Sequence, residues 1–140
     1  MNILNLKKFM IIFIPITIFI LYYTNYDFHL IIKSTFFATN NYTVHYKKDK
    51  ELSIPLPSNS AFLFKTPTEI YYNKYDINKC KSFFDSTLNK MKQNQQIGNY
   101  NFNDSEQKYI IEIDDQLTVE IYLIGNEDSR RYGISNSINK

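Results

Sequence analysis

Apolar and polar positions along this 140-residue chain change period several times, and each change marks an element. Phe9 to Tyr23 (FMIIFIPITIFILYY) holds no charge and is apolar on every helical face. His29 to Phe37 is a shorter apolar stretch with Lys33 at its centre. Tyr42, Val44 and Tyr46 then alternate with Thr43 and His45, the period of a strand. Ala61 to Lys65 (AFLFK) and Thr68 to Tyr75 (TEIYYNKY) are aromatic-rich, strand-like runs separated by a turn at Thr66-Pro67. Ile77, Cys80, Phe83, Phe84, Leu88 and Met91 recur every three or four residues, which predicts an amphipathic helix. Asp76 precedes it as a capping residue, able to accept the free amides of the first turn. Tyr109, Ile111 and Ile113 share one face of a further strand, and Leu117, Val119, Ile121 and Leu123 one face of the next. Asp114-Asp115-Gln116 turns between them.

The order hairpin, helix, hairpin predicts an α+β fold, a small four-stranded antiparallel sheet with one helix packed on a face, behind an N-terminal transmembrane helix. Ile54-Pro55-Leu56-Pro57 restricts the backbone to extended conformations and removes two amide donors, so it marks a rigid entry to the domain. The expected organisation is an n-region over 1–8, a membrane segment over 9–26, a stalk with one possible strand over 27–53, the domain over 54–125 and a flexible tail over 126–140. The run Lys47-Lys48-Asp49-Lys50-Glu51 reads as a solvated joint between stalk and domain. Gln93 to Glu106 reads as a polar connection, and the weakly apolar stretch from Gly125 onward as a fraying end.

As a helix rising ~1.5 Å per residue, the 15-residue run covers about 22 Å, short of a hydrocarbon core of roughly 30 Å. Its flanks lengthen it: Lys7 and Lys8 can snorkel on one side, and Tyr22, Tyr23 and Tyr26 suit the opposite interface. A cleaved secretory signal would need small residues after the run, and Thr24-Asn25-Tyr26-Asp27 does not supply an A-x-A-like site. The expected element is an uncleaved signal-anchor on Lys7, Lys8, Phe9, Ile12, Phe13, Ile16, Phe19, Ile20, Tyr22 and Tyr23. Lys7 and Lys8 before the run and Asp27 after it place the N-terminus in the cytoplasm and the domain outside it. A secreted domain with the run removed is the alternative.

Charge refines this picture. Residues 24–140 hold 14 basic and 14 acidic side chains, so the net charge of +2 comes from Lys7 and Lys8. A neutral domain is a poor general binder of nucleic acid or acidic lipid. Within it, residues 24–97 carry ten basic and six acidic side chains and residues 98–140 four and eight, a two-signed surface suited either to self-attraction or to a polar partner. The 20 Ile, 16 Asn, 14 Lys and 12 Tyr against 2 Ala and no Trp fit an AT-rich coding sequence, so Tyr pairs and Asn clusters carry less weight. Asn41-Tyr42-Thr43 and Asn103-Asp104-Ser105 match the glycosylation pattern, as 16 asparagines readily do by chance. Cys80 is the lone cysteine, so no internal disulfide is available.

The stretch from Ile54 to Met91 resembles small exported bacterial domains of unknown function. In these, a Pro-x-Pro entry precedes a hairpin with paired tyrosines, like Tyr71-Tyr72, and a helix with paired aromatics, like Phe83-Phe84. The resemblance implies an envelope location and carries no chemistry. The apolar-aromatic strand that usually follows the helix is not evident here.

Hydrolytic or transfer chemistry needs a base, a nucleophile or a metal in register. His29 and His45 both lie in the expected stalk, and Cys80 sits within an apolar helical stripe, where a cysteine behaves as a small hydrophobe. Zinc would require more cysteine or histidine, and no phosphate-binding, zinc-protease or serine-hydrolase motif occurs. The carboxylates Glu112, Asp114, Asp115 and Glu120 form an acidic patch that could hold calcium or act as an acid–base pair; otherwise they are turn formers and a polar sheet face. Two functions follow as expectations. One is a membrane-anchored, extracytoplasmic interaction module with a protein partner, no cofactor and no nucleic acid, in an envelope-assembly or immunity-type role. The other is a small hydrolase or ligand-binding enzyme using the acidic hairpin.

Overall fold

In the computed structural model, residues 3–47, 49–125 and 130–138 are described, with backbone only for residues 3–9. The side chains of Lys7, Lys8 and Phe9 therefore lie outside the described residues. The described chain is α+β, with three helices and two antiparallel sheets.

The strongest periodicities become the elements they predict. Helix α3 (Ile77–Gln93) starts where Asp76 Oδ1 accepts from the Lys79 amide at 2.8 Å, and it buries Ile77, Cys80, Phe84, Leu88 and Met91. Strands β6 (Lys108–Asp114) and β7 (Leu117–Ile124) form the acidic hairpin. Strands β3 (Ala61–Thr66) and β4 (Thr68–Tyr72) form the aromatic one, with a bulge between Phe62 and Phe64.

The sheet is nevertheless larger than four strands. It has six, in the order β3-β4-β8-β7-β6-β5, and the two additions come from stretches expected to be irregular. β5 (Asn99–Asn103) arises within the expected polar connection, because Tyr100 and Phe102 alternate with three asparagines and present an aromatic face to β6. β8 (Arg131–Ile138) arises within the expected tail and pairs antiparallel with both β4 and β7. Its pattern is hard to see in sequence because only Tyr132 and Ile134 are large and apolar on its core face; both are fully buried. The opposite face is small: a Cβ on Gly133 would sit 2.8 Å from Thr68 Cγ2 and 3.1 Å from Ile70 Cδ1.

The segment expected as a stalk contains the strand expected over Tyr42 to Tyr46 and further elements besides. It folds into α2 (Tyr26–Phe36) and a hairpin of β1 (Asn41–Lys47) and β2 (Lys50–Pro55). Tyr42, Val44, Leu52 and Ile54 alternate inward and join the same buried cluster as α3 and the sheet. Asn136 Nδ2 donates to Tyr42 Oη at 2.5 Å, and Lys47 Nζ lies 2.6 Å from Asp114 Oδ2, so the hairpin is stitched to β8 and to the β6–β7 turn. Within the charge run, Lys47 ends β1 and Lys50 and Glu51 begin β2, while Lys48 lies outside the described residues.

At the centre, the Phe84 ring packs edge-on to Tyr132 at 5.4 Å, and Tyr132 stacks on Tyr71 at 5.3 Å. Buried Asn73 holds the loop behind Pro57: its Nδ2 donates to the Ser58 carbonyl at 2.9 Å and to Ser60 Oγ at 3.0 Å. Ser60 Oγ also accepts from Tyr132 Oη at 2.7 Å, and among the described residues no buried side-chain polar atom lacks a partner.

Because Ile134 is fully buried, Ile134→Ala should cost about 2–5 kcal/mol, the range for emptying a large apolar core site. Denaturant unfolding of the full chain in mild detergent, followed by tyrosine fluorescence, measures it; a frayed end would make the substitution neutral.

Candidate functional site

The acidic hairpin is the first candidate, and the sheet divides its four carboxylates. Asp114 serves the turn: its Oδ1 accepts from the Gln116 amide at 2.9 Å and the Leu117 amide at 3.2 Å. The Lys47 ammonium beside it, followed by these amides, holds its carboxyl below the usual carboxylate range. Glu120 belongs to a different group. It accepts from Tyr122 Oη and pairs with Lys108 Nζ at 3.0 Å, and these two neighbours lower its pKa. Lys108 reaches Glu106 at 2.7 Å as well, so its ammonium is held well above the usual lysine range. Glu112 and Asp115 are exposed. A shallow notch of about 360 Å³ at the hairpin end is lined by Gly98, Asn99, Glu112, Asp114, Asp115 and Thr118, together with Ile113, and does not include Glu120. Among the described residues, no group of three His, Cys, Asp or Glu is placed to hold a metal ion.

The other chemistry-bearing side chains are apart from one another. His45 is on β1, exposed, with Nδ1 3.6 Å from Glu51 Oε2. His29 is on α2, its ring 4.4 Å from that of Tyr22. Cys80 is buried, with its Sγ 3.9 Å from the Tyr75 carbonyl, and burial pushes its thiol pKa up to about 11.

A second concavity was not foreseen, because half of it comes from β5. It is a groove of about 580 Å³ between the end of α3 and the sheet edge, lined by Asn89, Lys92, Gln93, Tyr100, Asn101 and Phe102. Lys92 Nζ donates to Asn99 Oδ1 at 2.8 Å, and Lys81 Nζ lies 4.3 Å above the Phe102 ring. Amides, a cation and half-buried aromatic faces suit recognition of a polar surface.

The most extensive feature is apolar. Helix α1 (Ile3–Thr24) leaves its large side chains from Met10 onward in the open on several sides: Ile11 is 71% exposed, Ile12 64% and Phe19 63%. Ile16, Ile20 and Tyr23 are exposed as well, while Tyr22 is half-buried. Both hydroxyls of its threonines turn inward, Thr17 Oγ1 donating to the Phe13 carbonyl at 2.9 Å and Thr24 Oγ1 to the Ile20 carbonyl at 2.8 Å. Pro15 lies within the helix. Among the described residues no single helix is long and apolar enough to cross a membrane; Met10–Thr24 and Tyr26–Phe36 satisfy length and composition together, as a pair bent by 109°.

Comparison with family models, with curated proteins and with solved structures finds no match to this chain.

Two outcomes test the site. Cys80 in the native protein should resist alkylation at about pH 8, because a thiol raised by burial is protonated there, and should react once the chain is unfolded; mass spectrometry reads both. A carboxyl held low in the fold contributes stability that is present above its unfolded pKa of about 3.9 and is lost as pH falls through the folded value. Asp114→Asn should therefore flatten the loss of stability between about pH 5 and about pH 3, read from denaturation midpoints.

Proposed function

We propose that this protein is tethered to a membrane by α1 and presents its α+β domain outside the cytoplasm as an interaction module for a protein partner. The observation that carries this reading is the exposure of the uncharged run Met10 to Tyr23. An exposed apolar surface of that extent is unfavourable in water and matches the interior of a bilayer. Thr17 and Thr24, already bonded to helix carbonyls, add little cost in lipid. Tyr22, Tyr23 and Tyr26 cluster at one end, where aromatic side chains favour the interface. The lysines at 7 and 8 precede the run and favour a cytoplasmic N-terminus.

An interaction role, as an accessory or assembly subunit of an envelope complex or an immunity-type protein, is supported by what the polar groups of the domain do. Asp114 and Glu120 are engaged in ion pairs within the fold, Cys80 is buried, and the groove beside β5 offers amide, cationic and aromatic contacts.

The native chain should sediment with membranes and resist alkaline carbonate extraction. Ile12→Lys with Ile16→Lys should release it, since each lysine near the centre of a span costs about 2.5–3.5 kcal/mol. A cysteine at exposed Lys90 should react with a membrane-impermeant maleimide in intact cells, and labelling only after lysis would reverse the orientation. In a gentle detergent the protein should migrate with a partner; recovery as a lone monomer counts against the interaction role.

A further inference from the structure

We propose that α2 is an interfacial helix that seats the domain on the bilayer, lying along the lipid surface with its outward face in the boundary between headgroups and acyl chains. This rests on the reading of α1 as the membrane anchor. Asn25 alone separates the two helices; it caps α2 by accepting from the Phe28 amide at 2.9 Å, while its own amide donates to the Leu21 carbonyl at 2.9 Å.

The bend sets the geometry. At 109° from α1, α2 is about 19° past perpendicular, so with α1 along the bilayer normal its far end descends toward the lipid. Over 11 residues at ~1.5 Å each the descent is about 5 Å, within the depth of about 5–10 Å at which interfacial helices lie.

The two sides of α2 are occupied differently. Leu30 and Ser34, one turn apart, are buried, while Lys74 Nζ donates to Thr35 Oγ1 at 3.2 Å and Arg131 donates to Tyr26 Oη at 3.2 Å; these fix the helix to the domain. His29 touches Tyr22 of α1, and its stripe continues through Ile32 to Phe36 at helical spacing, on the side toward the anchor. Phe36 is 72% exposed and Phe37, at the C-cap, 69%. Two large aromatic rings left open at the lower end of a helix that adjoins an apolar anchor meet the same medium as the anchor. Asp27, Lys33 and His29 leave α2 close to neutral, so its seating depends on apolar insertion and not on anionic lipid. With α2 packed against the domain by Leu30 and Ser34, the head is held at a fixed height and tilt.

The test uses the full chain reconstituted in phosphatidylcholine vesicles, with single cysteines labelled by an environment-sensitive fluorophore under native conditions that leave buried Cys80 unmodified. The reporters are Phe36→Cys and Phe37→Cys on α2, Ile16→Cys on α1 and Lys90→Cys on α3. Expected are a blue shift and strong quenching at positions 36 and 37 by a nitroxide high on the lipid chain, quenching at 16 by a deep nitroxide, and neither effect at 90. These should persist unchanged at high salt. Quenching at 16 without quenching at 36 and 37 overturns the interfacial helix and leaves the anchor intact. A blue shift at 36 and 37 without lipid quenching also overturns it, in favour of a protein cover. Absence of quenching at all of these positions removes the anchor reading itself.

Discussion

The two hairpins that flank α3 bury complementary apolar faces, yet they share no strand pairing with each other; every hydrogen bond that makes them one sheet passes through β8. That strand lies between β4 and β7, and its Tyr132 is the point where the layers meet. The ring stacks on Tyr71 of β4 and packs against Phe84 of α3, while its hydroxyl donates to Ser60 beyond the Pro-rich entry. Burial raises the Tyr132 phenol well above its usual pKa, so it remains a neutral donor at any physiological pH. Ser60 and Asn73 complete a buried network in which each polar atom has a partner, the condition under which such a network orders a core.

One face of the sheet carries two covers. Helix α3 buries Phe84 and Leu88 over part of it, held also by Tyr109 Oη donating to Asp85 Oδ1 at 2.7 Å. The β1–β2 hairpin contributes Tyr42, Val44, Leu52 and Ile54 to the same core. The segment between α1 and the Pro-rich entry is therefore part of the packed unit, with Leu30 and Ser34 of α2 buried as well. The opposed charge of the two halves is bridged at Lys47–Asp114, whereas Lys65–Glu69, Lys81–Asp85 and Lys108–Glu120 close within one half.

From Met10 onward α1 leaves large apolar side chains exposed, and so does the far end of α2 at Phe36 and Phe37. The groove at β5 lies on the domain proper, formed where the last turn of α3 leaves the edge of the sheet.

By itself the sequence determined the elements whose information is local. The period of 3.6 with Asp76 as cap specified α3, the period of two specified β6 and β7, and Thr66-Pro67 specified the turn between β3 and β4. It also determined that residues 9–23 are apolar all round. Only the tertiary structure decided the roles of β5, β8 and the β1–β2 hairpin. β5 and β8 contain few large apolar residues, and strand pairing, together with small residues such as Gly133 beneath Ile70, supplies what local pattern does not; the β1–β2 hairpin alternates legibly, but its place in the domain core is a tertiary outcome. The fate of the acidic patch was likewise a tertiary matter. Glu112, Asp114, Asp115 and Glu120 are close in sequence, and simple alternation would place Glu112, Asp114 and Glu120 on one face, but the register shift between Glu112 and Asp114 pairs Asp114 with buried Leu117, so Lys47 claims Asp114 while Lys108 and Tyr122 claim Glu120.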